Sequence, residues 1–273
     1  MKIGIIGQGF VGNAVYSKFK LFYDILTYDI NLKLCNSNIK EIKKKCKIIF
    51  VCVPTPMKSN GSCDTSIVKS VLNNFASEKG LIIVNKSTVI PGTTEKFNTE
   101  FKNIQIVFNP EFLTERNAVN DFNSQNRIII GGPRPASTIV KNIYSKVFPK
   151  AHIIKTGSSH AEMIKYFTNS FLATKVSFAN EMYDLCLKLN LDFDKIIEYV
   201  LLDKRIGNSH LNVPGPDGDF GFGGHCFPKD LSALISLTDE LGSLNNLLKS
   251  VKKTNDKVRI NRDWEKMKGR AVN

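Results

Sequence analysis

The stretch Lys2-Ile3-Gly4-Ile5-Ile6-Gly7-Gln8-Gly9-Phe10-Val11-Gly12 decides the fold of the first half of the chain. Residues 2–6 predict a short apolar strand, a GxGxxG spacing follows at once, and residues 11–19 are typical of a helix. The first glycine suits a tight turn, the second lets a pyrophosphate approach the backbone, and the third lets the helix pack on the strand. This order of strand, glycine turn and helix predicts a dinucleotide-binding unit.

A second apolar run, residues 24–28, predicts the next strand and ends at Asp29. An acid at this position accepts hydrogen bonds from ribose hydroxyls and repels a 2′-phosphate, so the pattern favours NAD over NADP. Lys33 follows closely and weakens that preference, because a cation can bind a 2′-phosphate. From this segment we expect the cofactor to contact Gly7, Gly9, Phe10, Val11, Gly12, Asp29 and Lys33.

Strand and helix patterns continue to alternate up to about residue 157, which predicts a Rossmann-like, doubly wound parallel sheet. A helix candidate at residues 64–76 has Asp64 or Thr65 as its cap. Ligands bind such sheets at the carboxyl ends of the strands. Singly, a polar residue there is best explained as a cap or a turn residue, but several at one edge favour a site. They are Thr55, Lys86, Thr88, Glu111 and Glu115, and the further strands are predicted at 47–53, 81–84, 104–108, 127–130 and 152–154.

From residue 158 the period changes to that of a long helix ending near residue 189, with Ser159 and Glu162 at capping-box spacing. Lys165 and Asn169 are four residues apart and therefore share a helix face. A lysine on a helix is ordinarily solvated, but the apolar neighbours of Lys165 favour a partly buried, functional amine. A helix this long and apolar is typical of a homodimer interface. We predict an NAD-binding domain at residues 1–157 and an all-helical domain with a long central helix at 158–273.

The second candidate site is the stretch Phe220-Gly221-Phe222-Gly223-Gly224-His225-Cys226-Phe227-Pro228-Lys229-Asp230-Leu231. Pro228 suits the first turn of a helix, which leaves Cys226 just before a helix N-terminus, where the positive end of the dipole favours a thiolate. The glycine pair leaves the sulfur open to a substrate, and Asp230 is placed to orient a water or hold a proton. A lone cysteine is more often a buried structural residue, but this setting favours a covalent nucleophile.

Composition bounds the remaining possibilities. The 273 residues are 42% hydrophobic and 23% charged, as in soluble globular proteins, and no apolar run is long enough to span a membrane. Six cysteines form no CxxC pair and no zinc-type spacing with the four histidines, so we expect reduced thiols and no metal. The chain enters a strand at once without a signal-peptide pattern, so we expect a cytoplasmic protein.

The formal net charge of +13 fits anionic ligands such as dinucleotides or sugar nucleotides. It would also fit nucleic acid or a basic host proteome. No nucleic-acid-binding module is present in the sequence, so we do not expect nucleic acid as a partner. Charge alone decides none of these alternatives.

Together these motifs resemble the UDP-glucose/GDP-mannose 6-dehydrogenase family in order and spacing over almost the whole chain. The resemblance implies an NAD-dependent, two-step oxidation of a sugar C6 alcohol to a carboxylate, with two NAD consumed. The matching pieces are residues 7–12, Val53-Pro54-Thr55-Pro56, Lys86-Ser87-Thr88-Val89, Asn109-Pro110-Glu111-Phe112-Leu113, residues 162–169, Arg205-Ile206-Gly207 and residues 221–230.

The resemblance also implies roles. Cys226 would capture the aldehyde as a thiohemiacetal and carry the thioester, Lys165 and Asn169 would stabilise the oxyanion, and Asp230, with Thr88 and Glu111, would position or deprotonate water. Arg205 resembles an arginine that reaches the substrate of a neighbouring subunit. Further cofactor contacts are expected at Pro54, Thr55, Thr88, Glu115 and Lys229, and substrate contacts at Glu111, Phe112, Leu113, Glu115, Lys165, Asn169, Arg205 and Gly223.

One departure from the family leaves alternatives open. Family members usually continue into a further α/β domain that grips the nucleotide, and Asn255-Asp256-Lys257 resembles the start of the linker to it. The first hypothesis is a short-form nucleotide-sugar dehydrogenase, acting on UDP-glucose or a GDP sugar, alone or with a separate chain that supplies the missing domain. The second is an NAD-dependent oxidoreductase of a smaller alcohol. The third is a non-catalytic NAD-binding subunit that needs a partner.

Overall fold

The computed structural model describes all 273 residues, which form two compact units. The first unit contains Met1–Thr55 and Thr65–Lys165, and the second contains Pro56–Asp64 and Tyr166–Asn273. The units therefore divide within a long helix, and the short segment Pro56–Asp64 belongs with the C-terminal half. The domain boundary between residues 157 and 158 stays a prediction.

The first unit is built on a seven-stranded sheet in the order β2-β1-β3-β4-β5-β6-β7, which confirms the Rossmann-like fold. Every neighbouring pair is parallel except β5 and β6, which are antiparallel. The sequence predicts a parallel sheet, and the reversal at this one pair goes beyond that prediction because apolar patterning does not encode strand direction. The strands are β1 (Lys2–Ile6), β2 (Asp24–Tyr28), β3 (Ile48–Val51), β4 (Leu81–Asn85), β5 (Ile104–Phe108), β6 (Arg127–Gly131) and β7 (His152–Thr156).

Helices cover both faces of this sheet. Alternate residues of β3 show the division: Phe50 belongs to one buried cluster and Ile49 to the other. Phe19 lies in the first cluster with residues of α5 and α6, and Leu72 lies in the second with residues of α2 and α4. A strand with both faces covered reads as a continuous apolar run, as β3 and β4 do. The helices are α1 (Phe10–Phe19), α2 (Ile39–Lys45), α3 (Ser66–Phe75), α4 (Thr93–Glu100), α5 (Ala118–Asn123) and α6 (Ala136–Val147).

The glycine turn has the three roles that the sequence predicts. Gly7 has φ +91°, a left-handed value that side-chain-bearing residues rarely adopt. A Cβ on Gly12 would overlap the carbonyl oxygen of Gly7, whereas a Cβ on Gly9 would meet nothing within 4 Å. Gly9 is the N-cap of α1 and no side chain caps the helix there. The amide groups at this helix N-terminus therefore face open space, which suits an anionic group.

A buried polar network lies behind the ends of β4 and β5. Lys86 Nζ donates to Asn109 Oδ1 at 2.9 Å and to its carbonyl oxygen at 3.3 Å, and the Tyr144 hydroxyl donates to the same Oδ1. The Asn109 amide donates to the carbonyl oxygen of Ile129 at 2.7 Å. Burial lowers the pKa of Lys86 from 10.5 to about 8. The network fixes the backbone at the point where the candidate site begins.

The second unit is helical, as predicted, and contains residues 166–188 of the 31-residue helix α7 (Ser158–Lys188). The other helices are α8 (Phe193–Val200), α9 (Phe227–Glu240) and α10 (Asn246–Val258). Ala173 of α7, Leu231 of α9 and Val251 of α10 form one of its buried clusters, with Phe222 of the glycine-rich loop. None of the helices has the length and apolar character needed to cross a membrane.

Three local predictions need correction. Glu162 does not form a capping box on α7: its carboxylate accepts from the Gly92 and Thr94 amides at 2.7 and 2.8 Å and so caps α4 instead. Thr65 is the N-cap of α3, but its side chain makes no cap hydrogen bond. Asn255-Asp256-Lys257 lies inside α10, where Asn255 is buried, and not in a linker. For Glu162 and Asn255, a partner distant in sequence outweighs the local pattern.

We expect Gly12→Ala to lower the free energy of unfolding by about 1–3 kcal/mol, because its methyl group meets backbone that cannot move independently. Gly9→Ala is the matched control and should change the free energy by less than about 0.5 kcal/mol, since the space beside it is open. Urea denaturation of both variants measures the difference. Equal losses would contradict the assigned glycine roles.

Lys86 should make stability depend on pH. The unfolded chain keeps this lysine protonated up to pH 10.5, but the folded protein only up to about pH 8. The unfolded state therefore binds more protons between these values, so the free energy of unfolding should rise with pH across the window, by up to about 3 kcal/mol. Urea titrations at several pH values should show this rise in the native sequence and in the exposed control Lys102→Met. The contribution should be absent in Lys86→Met, and a parallel rise in that variant would argue against the assignment.

Candidate active site

Backbone hydrogen bonds between neighbouring segments of the chain continue at the ends of strands β1 to β5. These bonds bring the glycine turn and the loops after β2 to β5 to one edge of the first unit, as the sequence predicts for a doubly wound sheet. They run from the amides of Gly7, Cys52, Lys86 and Asn109 to the carbonyl oxygens of Tyr28, Ile6, Val51 and Asn85, respectively, at 2.8–2.9 Å.

Asp29 lies against the glycine turn. Its Oδ2 accepts from the amide of Gln8 at 2.6 Å and its Oδ1 accepts from the amide of Asn31 at 2.8 Å. A cleft of about 540 Å³ opens beside the turn and is lined by Gln8, Gly9, Phe10 and the exposed Lys33, among others. Gly9, Phe10 and Lys33 thus share one cleft, while Val11 and Gly12 form the first turn of α1 behind it. The open glycine, the uncapped helix and the nearby acid fit an adenine dinucleotide.

The predicted residues after β3 and β4 are joined by a hydrogen bond. The buried Thr55 donates through Oγ1 to the carbonyl oxygen of Thr88 at 2.7 Å, while Pro54 beside it is exposed. Ser87, which sequence reasoning did not single out as a site residue, accepts from the Val53 amide at 3.1 Å. The two loops therefore hold each other in place, and Pro54 presents a rigid, exposed surface.

Glu111 and Lys165 form a buried ion pair in the first unit. Lys165 Nζ lies 2.9 Å from Glu111 Oε1 and donates to the Glu111 carbonyl oxygen at 2.6 Å. Burial acts to raise the pKa of Glu111, but the lysine and the Leu113 amide, which donates to Oε2 at 2.8 Å, hold it below its usual value. The prediction of a buried amine at residue 165 is therefore confirmed. Its functional role remains a proposal.

Phe112 and Glu115 complete the loop after β5. The Phe112 ring lies 5.5 Å from Lys165 Nζ and 4.6 Å from the Arg127 guanidinium, so it is flanked by two cations. Leu113 is half-buried and Glu115 is exposed in a 3-10 turn. Of the expected substrate contacts, the structure brings Glu111, Phe112 and Lys165 together.

In the second unit, Cys226 is the N-cap of α9 and is half-buried. Its carbonyl oxygen accepts from the Asp230 amide at 2.8 Å, and its Sγ lies 3.4 Å from Nε2 of His225. Gly224 has φ +69° and open space where a Cβ would stand, whereas a Cβ on Gly223 would overlap Arg259 and Asp263. The loop is therefore open beside Gly224, while Gly223 is required by the packing behind the loop.

Asp230 is fully buried and both of its oxygens are used. Oδ2 accepts from the Asn169 amide at 2.6 Å, and Oδ1 accepts from Lys229 Nζ at 2.5 Å. Burial acts to lower the pKa of Lys229, but the Asp230 carboxylate outweighs it and raises that pKa above its usual value. Lys229 is therefore a permanent cation. Lys229 and Asp230 in the first turn of α9 form one connected group with Asn169 of α7.

The glycine-rich loop before Cys226 is held by residues that sequence reasoning missed. Asn255 of α10 binds both backbone groups of Phe222, at 2.7 and 3.0 Å, and Asn180 of α7 accepts from the Gly221 amide at 3.1 Å. Asp263 accepts from the Gly224 amide at 3.0 Å, and its partner Arg259 is almost fully buried. An irregular loop needs such partners for its backbone groups, but no local pattern shows which residues supply them.

Arg205 lies on an exposed loop of the second unit. Its side chain is 89% exposed and pairs with Asp203, two residues earlier in the same loop. Because the Arg205 guanidinium is exposed on a loop, packing does not fix the direction in which it points. The role of Arg205 toward a neighbouring subunit stays a prediction.

Two family models match the chain. The model described as the UDP-glucose/GDP-mannose dehydrogenase family, NAD binding domain, matches residues 26–148, and the one described as the central domain of the same family matches residues 159–257. The first description names NAD, and the prediction of that cofactor is confirmed. The glycine turn itself precedes the first matched segment.

Curated relatives and a solved structure that match the chain are named as UDP-glucose dehydrogenases. UDP-glucose 6-dehydrogenase TuaD of Bacillus subtilis is 36% identical over 223 residues, covering 78% of this chain and 47% of the relative, so the chain spans about half of that protein. The putative UDP-glucose 6-dehydrogenase YtcA of the same organism is 33% identical, covering 94% and 68%. A UDP-glucose dehydrogenase structure from Pyrobaculum islandicum matches with TM-score 0.84 at 29% identity, covering 94% and 68%. The chain belongs to the UDP-glucose/GDP-mannose dehydrogenase family.

Proposed function

We propose that this chain is an NAD-dependent nucleotide-sugar 6-dehydrogenase that oxidises the C6 alcohol of UDP-glucose to the uronic acid through Cys226. The observation that carries the proposal is a half-buried cysteine at an open helix N-terminus, one turn before a carboxylate held by Lys229 and Asn169. UDP-glucose is the favoured substrate because relatives that match the chain at 36–37% identity are named for it. The alternatives are the oxidation of a smaller alcohol and a non-catalytic role together with a partner chain.

NAD, when bound, accepts one hydride in each of the two oxidation steps. In the first unit, Gly9 and the uncapped amides of α1 would hold the pyrophosphate, and Asp29 would accept from the ribose hydroxyls. Pro54 and Thr55, with Thr88, would form the rim beside the nicotinamide end. Functionally, residues 1–157 would be the cofactor domain and residues 158–273 the domain that carries the nucleophile.

Different residues of the chain take part in the successive covalent steps. The Cys226 sulfur adds to the C6 aldehyde to give a thiohemiacetal, and loss of the second hydride leaves a thioester. Lys165 and Asn169 would stabilise the oxyanion, since each presents N–H donors in a buried setting. Water then attacks the thioester, with Asp230 as the group that positions it, and releases the carboxylate.

A homodimer is also proposed. Phe167 and Phe171 are exposed on α7, and their rings stack with centroids 6.5 Å apart. Large apolar side chains in such a row are typical of an interface between helices. Arg205, exposed on its loop, would then reach the substrate of the neighbouring subunit.

Purified protein with UDP-glucose and NAD should produce two NADH per sugar, and Cys226→Ser should lose turnover by at least about a thousandfold or stop after the first hydride. Stopped-flow absorbance measures both the rate and the stoichiometry. Cys186→Ala, which shortens a cysteine of the helical core, is the control and should keep two NADH per sugar. Absence of turnover with UDP and GDP sugars, beside measurable NAD binding, would reject the proposal for this chain and favour a smaller alcohol or a partner-dependent role.

Asp230→Asn should slow thioester hydrolysis more than the hydride steps, so the acyl-enzyme on Cys226 should accumulate and be visible by intact-protein mass spectrometry. The variant should also lose about 3 kcal/mol of stability, because Lys229 keeps its buried charge without a partner. Lys229→Met/Asp230→Asn is the matched variant and should recover stability without recovering hydrolysis. Restored hydrolysis in the double variant would show that the Asp230 effect is structural only.

A further inference from the structure

We propose that His225 is the base that takes the proton of Cys226, so that the nucleophile is held as a thiolate beside an imidazolium before the aldehyde arrives. This inference deepens the proposed function and depends on it for the identity of the electrophile. It assigns this proton transfer to the histidine that contacts the sulfur, whereas Lys229 is already protonated and both Asp230 oxygens already accept hydrogen bonds.

Geometry is the first support. His225 Nε2 lies 3.4 Å from Cys226 Sγ, a distance at which a thiol can share its proton with a ring nitrogen. Both residues are half-buried, so the pair is shielded in part from water but remains open to a small reagent. Gly224, just before the pair, has its amide fixed on Asp263 at 3.0 Å. The loop therefore presents the two side chains together.

The second support is that the other ionisable groups near the sulfur already have hydrogen-bond or charge partners. Both Asp230 oxygens accept from other residues, and Lys229 is a cation that lies near enough for a Cys226 thiolate to raise its pKa. A cation favours the thiolate but cannot accept the proton. The charged and titratable groups around the pair are Lys229 and Asp230 of α9, Cys63 of the Pro56–Asp64 segment, Arg259 and Asp263 behind the loop, and His210, whose ring faces Phe227.

His210 does not compete for this role. Its ring centroid lies 5.5 Å from that of Phe227, and burial lowers its pKa. His225 is the histidine whose ring contacts the sulfur. The arrangement at the start of α9 is thus an adjacent thiol and imidazole with a cation one turn further along the helix.

The step balances as follows. The S–H bond breaks, its electron pair stays on sulfur, and the proton moves to Nε2 of His225. The sulfur pair then forms the S–C bond to the aldehyde carbon while the C=O π pair moves to oxygen. The imidazolium returns its proton to that oxygen, directly or through water, which gives the neutral thiohemiacetal and a neutral histidine ready for the next cycle.

Alkylation by iodoacetamide tests the pair without cofactor or sugar. The rate at Cys226, followed by mass spectrometry of its peptide between pH 5 and 10, should show a midpoint about one pH unit higher in His225→Gln than in the native sequence, and a rate about tenfold lower at pH 7. His152→Gln, which changes an exposed histidine of β7, is the control and should leave the profile unchanged. Coincident profiles in folded native and His225→Gln protein would overturn the proposal.

A second measurement covers the case in which His225→Gln does not fold. In the native sequence, carbamidomethylation of Cys226 removes the thiolate, so the imidazole pKa of His225 followed by NMR should fall; an unchanged value would overturn the pairing. A shifted alkylation profile without turnover of any nucleotide sugar supports the pair and rejects the proposed function alone. Coincident profiles with two NADH per sugar reject the pair and leave the proposed function intact.

Discussion

Compensation of buried charge is the constraint on which the rest of this structure depends. Each unit places ionised groups where water cannot reach them: Glu111 and Lys165 in the first, Lys229 and Asp230 in the second. An isolated charge in such a position costs several kcal/mol, so each must be met by an opposite charge and by further hydrogen bonds. The pairs add little net stability, but loss of one partner is costly, and this fixes the side chains in single orientations. The candidate catalytic groups are immobile for that reason.

The same constraint explains why polar residues gather at strand ends and at the start of a helix. Backbone groups at these positions have no partner within their own element, so they are available to side chains. Glu162 shows this in the first unit, since its carboxylate accepts two amides at the start of α4 while burial raises its pKa to about 7. In the second unit Asp263 accepts the Gly224 amide. A polar residue therefore supports the fold and shapes the site through one set of bonds.

Sequence reasoning predicted those parts of the fold and site that local geometry determines. The glycine turn, the strands on either side and the helix after Cys226 depend on neighbours within a few residues, and the structure has them where the pattern predicts. It could not predict the direction of β6, the true partner of Glu162 or the part played by Tyr144. Each of these depends on a residue distant in sequence, and apolar periodicity carries no information about such pairings.

The segment from residue 255 to residue 263 is the clearest example, and it changes how the second site is understood. From sequence, residues 255–257 resemble the start of a linker, yet Asn255, Arg259 and Asp263 hold the backbone of the loop that presents Cys226. Gly221 and Gly224 adopt left-handed φ values there, which leaves their amide groups pointing away from any regular ladder. Side chains must then accept those amides, and the buried Asn180 and the half-buried Asp263 do so. The geometry at the thiol is therefore set by residues at the end of the chain as much as by the loop itself.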